Sequence, residues 1–329
     1  VQTGINFGLE QRHDIPYLTG FGSGTIVSDG LWVSNVTLSS TTFKLGSTHI
    51  GEDNLVGNNV YYPREGKTGN HCLIATQALV PTDGACRENI MLLGSPAIEI
   101  PWSGNATDSS AMASGGEAER NGLRRKNRHN LITIVLLLFF AQTYFFVALL
   151  TIYTAAHYQN QWGTLAWVVC TNLFLLFSII WCIAIERGRL GCGRLKPMEV
   201  SVYNSEYWPV ERLWKYSETF LRWIWLGTPF RSLLCRLLGM TLGKMVFDDG
   251  MYVSEKSLVE IGDYGNLNES AVLQSHSLED GVYKSGIIRI GDRCTIENNA
   301  FLHYGCSVGD DAVIAPDSFV MKGENVEAN

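Results

Sequence analysis

The sequence predicts two left-handed parallel β-helix domains, built from hexapeptide repeats and joined by a transmembrane α-helical hairpin. Three observations predict it: a six-residue aliphatic period in the last third of the chain, a fainter version of that period in the first hundred residues, and two charge-free apolar runs between them. The 329 residues, 46% of them hydrophobic, suffice for two domains and a membrane segment, and the apolar residues are distributed unevenly. The chain begins at Val1 and stops at Asn329 directly after a repeat array, so it is expected to be an excerpt from a longer protein.

The first β-helix is expected over residues 1–102. Ile50-Gly51 and Val56-Gly57 form adjacent hexads, and Phe21 to Val36 holds short strands separated by Gly, Ser and Asp turns. A loop is expected from Pro63 to Asn70, with His71 beside it as a candidate functional histidine, and the domain closes on LLGSPAIEIP. Residues 103–130 read as a flexible basic linker, rich in Gly, Ser and Ala up to Gly122.

Leu131 to His157 contains no acid, Lys or Arg, and at about 1.5 Å per helical residue it exceeds a hydrocarbon core of about 30 Å. A second charge-free run, Thr164 to Ile185, follows a short link at 158–163, which forces an antiparallel hairpin over 131–187. Arg120, Arg124, Arg125, Lys126 and Arg128 precede the hairpin, and Arg187, Arg189, Arg194 and Lys196 follow it, while the link has no Lys or Arg. The positive-inside rule then places both flanks, and with them both β-helices, in the cytoplasm. Asn35 and Asn105, although in acceptor patterns, are accordingly not expected to be glycosylated. Residues 188–245 mix Trp, Tyr and Phe with Arg and Lys, which suits an amphipathic helix lying in the membrane interface or one packed on the end of the next domain.

The second β-helix, 246–329, carries the most specific signal. Ile290, Ile296, Leu302, Val308, Ile314 and Val320 are aliphatic at a spacing of six, and the residue two before each is small from Cys294 onward. A triangular coil needs this pattern: one large side chain per side fills a dry prism, and a small residue lets the chain turn the corner. Ile261, Leu267 and Leu273 keep the period upstream, but the interval from Leu273 to Ile290 is eleven residues too long, so SHSLEDGVYKSG contains an extruded loop. If the array resumes in phase, Leu302 stacks on Leu273, and His303 and His276 lie near one another on the outside of one face, beside the loop acids Glu279 and Asp280. An imidazole held by a carboxylate serves as a general base toward an amine, hydroxyl or thiol.

Eight cysteines without a CxxC pair point to reduced thiols and no structural zinc. No phosphate-binding loop, GxSxG or HExxH is present. The predominance of acids after Phe247 disfavours nucleic acid and would tolerate a cationic amino acid or peptide.

Hexapeptide β-helices resemble the fold of acyl- and acetyltransferases, and LLGSPAIEIP resembles the strand with which many of them leave the coil. The succession GTIVSDG, IGEDNLVGNNVYYP, TGNHCLIATQALVP and LLGSPAIEIP, then a membrane hairpin, then GTPFRSLLCRLLGMTLGKMVFDDG, SLVEIGD, LQSHSLEDGVYKSG and APDSFVMKGE, is similar to the carboxy-terminal half of the ε-poly-lysine synthetase family of membrane-bound nonribosomal peptide synthetases. The resemblance implies an acyl or aminoacyl transferase module that forms peptide bonds, with adenylation and carrier domains upstream. It implies as partners membrane lipid, the carrier domain with its phosphopantetheine arm, and an amino acid or peptide amine, and no metal. It singles out His276 with Glu279 and Asp280 in HSLEDG, Asp248 and Asp249 in FDDG, and His303 in FLHYG, although Asp248 and Asp249 serve equally well as caps of the first coil. The alternatives are a free-standing membrane acetyltransferase using acetyl-CoA and a non-catalytic membrane scaffold.

Overall fold

In the second half of the chain, Thr295–Ile296 lies parallel to Val313–Ile314, eighteen residues on, which is one coil of three six-residue sides. A computed structural model describes residues 2–3, 12–101, 117–189, 193–214, 225–279 and 282–329. The chain divides into two units, Val1–Thr107 and Asp108–Asn329, each with its own β-helix.

In the second unit the short strands form three parallel sheets of five, four and four strands, one for each face. Ile261, Leu267, Leu273, Ile290, Ile296, Leu302, Val308, Ile314 and Val320 all sit in one buried cluster. At about 1.5–3 kcal/mol per fully buried aliphatic side chain, this column is the main source of stability. The corners repeat as strictly as the core. Arg293, Asn299, Gly305, Asp311, Asp317 and Gly323 recur every six residues with φ of 57–76°, and from Arg293 to Asp317 the next residue is the small one of its hexad. The predicted phase holds across the long interval, because Leu273 pairs with Leu302. The excess residues leave the coil as an antiparallel hairpin, His276–Glu279 with Val282–Ser285, and rejoin it in register.

The first unit winds in the same way around Val27, Val33, Ile50, Val56, Tyr62 and Ile74. Its corners Asp53, Asn59, Glu65, His71 and Gln77 have φ of 51–66°. The loop expected over Pro63–Asn70 is instead regular coil, since Lys67–Thr68 pairs with His49–Ile50. His71 is therefore an exposed corner residue of the scaffold. The closing segment forms an antiparallel pair, Ile90–Leu93 with Ile98–Pro101.

The two β-helices are copies with a constant shift of 240 residues. The 3-10 turn Pro16–Leu18 corresponds to Lys256–Leu258, the strands Thr19–Phe21 and Leu55–Val56 to Val259–Ile261 and Thr295–Ile296, and the hairpin Val36–Leu38/Phe43–Leu45 to His276–Glu279/Val282–Ser285. The shift extends to single hydrogen bonds: Gly46 N to Asn35 O becomes Gly286 N to Ser275 O, and Leu18 N to Ile15 O becomes Leu258 N to Glu255 O.

Between the coils run α1, Glu117–Trp162, and α2, Thr164–Arg189. Both are long and apolar enough to cross a membrane, and almost none of either apolar stretch is covered by protein. They are antiparallel, with Tyr144 OH 2.8 Å from Ser178 Oγ and the rings of Phe140 and Trp181 5.6 Å apart. Two expectations are corrected. The basic part of the linker, from Glu117, is helical, and so is the link at 158–163, where the reversal is confined to Gly163 at φ 57°. Extending a formed helix needs no new nucleus, and Arg and Lys are good helix formers, so the charged flank continues the apolar helix. The rest of the expected linker, 103–116, lies outside the described residues. The interfacial region expected over 188–245 contains α3, Trp208–Trp214, and α4, Pro229–Leu238, but also a strand, Glu199–Ser201, on the hairpin edge. The second coil starts at Thr241–Leu242, five residues earlier than expected at 246.

Candidate active site

Glu255 sits where the chain leaves the strand Tyr252–Val253 for the 3-10 turn Lys256–Leu258. Its carboxylate is buried and collects four donors. His276 Nδ1 lies 2.7 Å from Oε1 and 2.9 Å from Oε2. Trp214 Nε1 donates to Oε1 at 2.8 Å, Ser254 Oγ to Oε2 at 2.5 Å, and the Tyr283 hydroxyl to Oε1 at 3.3 Å. Burial alone would push this carboxyl up, but the charge of His276 and the hydrogen bonds from His276, Ser254 and Trp214 outweigh it and hold the carboxyl below its ordinary value of 4.5.

His276 opens the hairpin at the point where it peels off the coil, and Trp214 stacks on its ring, with centroids 4.4 Å apart and planes 17° from parallel. Tyr283 comes from the returning strand and packs on Tyr207 at 4.9 Å. Burial, and next the charge of Glu255, raise the Tyr283 hydroxyl far above its ordinary range, so it acts here as a neutral donor. With Glu255 ionised, Nδ1 must carry the proton it donates, which leaves the lone pair on Nε2. The dyad can therefore take a proton at Nε2 and hold the resulting imidazolium against a buried carboxylate.

α3 ties this site to α1. Glu211 lies 3.5 Å from Lys126, Arg212 donates to Thr133 Oγ1 at 2.8 Å and lies 2.7 Å from the His129 ring, and Trp214, two residues further on, meets the dyad. The hydroxyls of Ser275 and Ser277, on either side of His276, are buried with no hydrogen-bond partner among the described residues.

The structure redistributes the predicted residues. His276 is buried rather than outward, and its carboxylate is Glu255, not a loop acid. Glu279 reaches only the hairpin tip, where its side chain and all of Asp280 lie outside the described residues. His303 pairs across the coils with Gln274, its Nδ1 accepts the Tyr304 N–H at 2.9 Å, and its ring packs on Phe301, Phe319 and Tyr304. Leu302 stacks on Leu273 as expected, but the hairpin carries His276 away into the glutamate pocket.

Asp248 is also structural. It is buried against Arg231 of α4 at 2.9 Å and accepts the N–H groups of Gly250 and Met251, both at 2.9 Å, closing the first coil. Asp249 is exposed. Among the described residues no group of three or more His, Cys, Asp or Glu side chains converges as a metal would require. Sequence reasoning missed Glu255 and Trp214. The available signal was local: SEKSL, between Val253 and Val259, is a corner without Gly, Asn or Asp, unlike the other corners of this array.

No family model matches the chain. Compared with curated proteins, it is 24% identical over 322 residues to the delta-poly-L-ornithine synthetase of Acinetobacter baumannii, a match covering 95% of this chain. The chain is similar to a poly-amino-acid synthetase. The resemblance read from the segment order and this match agree, and the match runs through both β-helices and the helices between them. The chain spans 24% of the length of that synthetase. Among solved structures, a hexapeptide-repeat-containing acetyltransferase from Vibrio cholerae is 17% identical, covering 33% of this chain and 78% of its own, at a TM-score of 0.26.

Proposed function

We propose that this chain is the peptide-bond-forming acyl or aminoacyl transferase module of a membrane-bound nonribosomal peptide synthetase-like protein, whose adenylation and carrier domains lie in the remainder of the parent. In this reading its β-helices are left-handed, α1 and α2 cross the bilayer, and both β-helices face the cytoplasm, a topology that the basic flanks of the hairpin favour.

The observation that carries this reading is the buried Glu255–His276 dyad. An amino acid arrives as a thioester on a phosphopantetheine arm, and the amine of a second amino acid or peptide attacks its carbonyl. His276 Nε2 takes the proton released as the C–N bond forms. The C–S bond then breaks, and the imidazolium returns the proton to the departing thiolate. Glu255 fixes the tautomer and stabilises the cation without itself touching substrate. The first β-helix has Ile15 and Val36 at the positions of Glu255 and His276, so the base resides in the second copy alone. Between the amine acceptor and acetyl-CoA chemistry, the match to a poly-amino-acid synthetase favours the former.

The test uses the full-length parent in membranes with ATP and a panel of amino acids, comparing wild type with His276→Ala. Loss of peptide product by about 10²–10⁴ with carrier loading intact is the expected result. Undiminished product would leave these β-helices as a scaffold.

A further inference from the structure

α4 is amphipathic in three directions, and only two of them are satisfied within the protein. Arg231, Ser232 and Cys235 are buried toward the first coil, where Arg231 meets Asp248 and Ser232 donates to Val246 O at 2.6 Å. Leu234 and Leu238 pack with Trp225 against Leu175, Ile179, Cys182 and Ile183 of α2. The third direction holds Phe230, Leu233 and Leu237, spaced as one helical stripe and 58%, 50% and 45% exposed. A stripe of this kind on a ten-residue helix would be unfavourable in water.

We propose that this stripe of α4 lies in the bilayer, so that the second β-helix stands end-on on the membrane with its dyad-bearing coils lowest. The inference rests on the reading of α1 and α2 as membrane spans. Its support is continuity. The α2 residues that α4 packs on lie between about 4 and 16 Å, at 1.5 Å per residue, from Glu186 at the charged end of that helix. A helix seated on that stretch is below the headgroups, beside a surface that protein leaves almost bare. The polar features of α4 match that depth. At its C-terminus Gly239 closes the helix at φ 115° and the Arg187 guanidinium comes up against it, while Arg236 folds back onto the carbonyls of Leu242 and Gly243. The cations stay at the level of the headgroups while Phe230, Leu233 and Leu237 face the acyl chains.

This placement also sets the height of the site. Lys256, the neighbour of Glu255, lies 3.7 Å from Glu186, and α4 contacts the 3-10 turn that Glu255 opens. The base therefore works at the membrane surface, and the distal coils, with Ile314 and Val320, project away from it.

The test places a fluorescent unnatural amino acid at Leu233, at Leu176 of α2, or at the exposed Val313 of a distal coil, in the full-length parent reconstituted in nanodiscs. The lipids carry a doxyl quencher either shallow or deep in the acyl chain. The expected result is quenching at Leu233 by the shallow label, at Leu176 by the deep label, and at Val313 by neither. Quenching at Leu176 with none at Leu233 overturns the proposal while the spanning reading survives, and points to a protein partner or second copy on the stripe. No quenching at either position overturns both. Since the two readings fail separately, neither depends on an activity assay.

Discussion

Replacing Glu255 by Gln is the sharpest perturbation of the site, because shape is kept while charge and one acceptor are lost. The wild-type carboxylate accepts from four groups at 2.5–3.3 Å, all packed around a side chain that is itself 1% exposed. An amide has one acceptor oxygen, so its NH2 must face at least one of these donors. If the NH2 faces His276 Nδ1, the imidazole can accept there only by carrying its proton on Nε2, and the base is lost. If the oxygen faces His276, a Trp214 or Ser254 bond is broken and the imidazolium has no counter-charge. Each lost charge-assisted bond costs about 1.5–3 kcal/mol. The rate of aminolysis should fall by about 10²–10⁴, since orientation and tautomer are removed together. The assay is single-turnover transfer from the preloaded carrier, with a parallel thermal melt to show that the variant folds. A folded Glu255→Gln enzyme transferring within threefold of wild type would refute the general-base argument.

Further outcomes follow from the same geometry. Trp214→Phe keeps an aromatic ring beside His276 but removes the Nε1–H bond to Glu255, so kcat should fall about tenfold with KM little changed in steady-state transfer assays. Leu302→Ala, at a fully buried position between Leu273 and Val320, should destabilise the second β-helix by about 2–5 kcal/mol in denaturant titration. The carboxyl of Glu255 is held below 4.5, so its stabilising contribution is complete above that value and is lost as pH falls through the lower folded value; Glu255→Gln should flatten stability against pH in that acid range, read by melting at stepped pH.

The residues that shape the prism were legible, because a dry triangular core demands one aliphatic side chain every six residues whatever the surface does. The phase across the extruded hairpin was legible for the same reason: Leu273 and Leu302 must share a face for the core to continue. The carboxylate partner of His276 was not. Glu255 stands 21 residues before His276 and Trp214 a further 41 before Glu255, on different elements, and no local period relates them. The acids nearest His276 in sequence, Glu279 and Asp280, were the natural candidates, yet the hairpin strand carries the Glu279 backbone away from the coil, and Asp280 lies outside the described residues. Asp248 takes the capping role, the other of the two that its sequence position allowed. An acid beside a glycine in the first coil resembles a functional motif, but a buried arginine from α4 gives it a closing role in the scaffold.

The two copies separate what the fold needs from what the chemistry adds. Both retain the 3-10 turn, the hairpin and the left-handed corners every six residues, so these features belong to the scaffold. At the root of the hairpin the first copy has Asn35, fully buried, which accepts from Ile15 N and Thr19 Oγ1 and donates toward Leu18 O, Gly46 O and Thr48 Oγ1. The second copy has Ser275 there, too short to span those groups, and its hydroxyl is buried without a partner among the described residues. An unmade hydrogen bond of this kind costs about 1–3 kcal/mol. In the same copy Ile15 and Val36 give way to Glu255 and His276, and the network that held the hairpin root is replaced by one that holds an imidazole. The second β-helix thus gives up local stability at the place where it sets the Glu255–His276 pair, while the first keeps the Asn35 staple, with Ile15 and Val36 at the two corresponding positions.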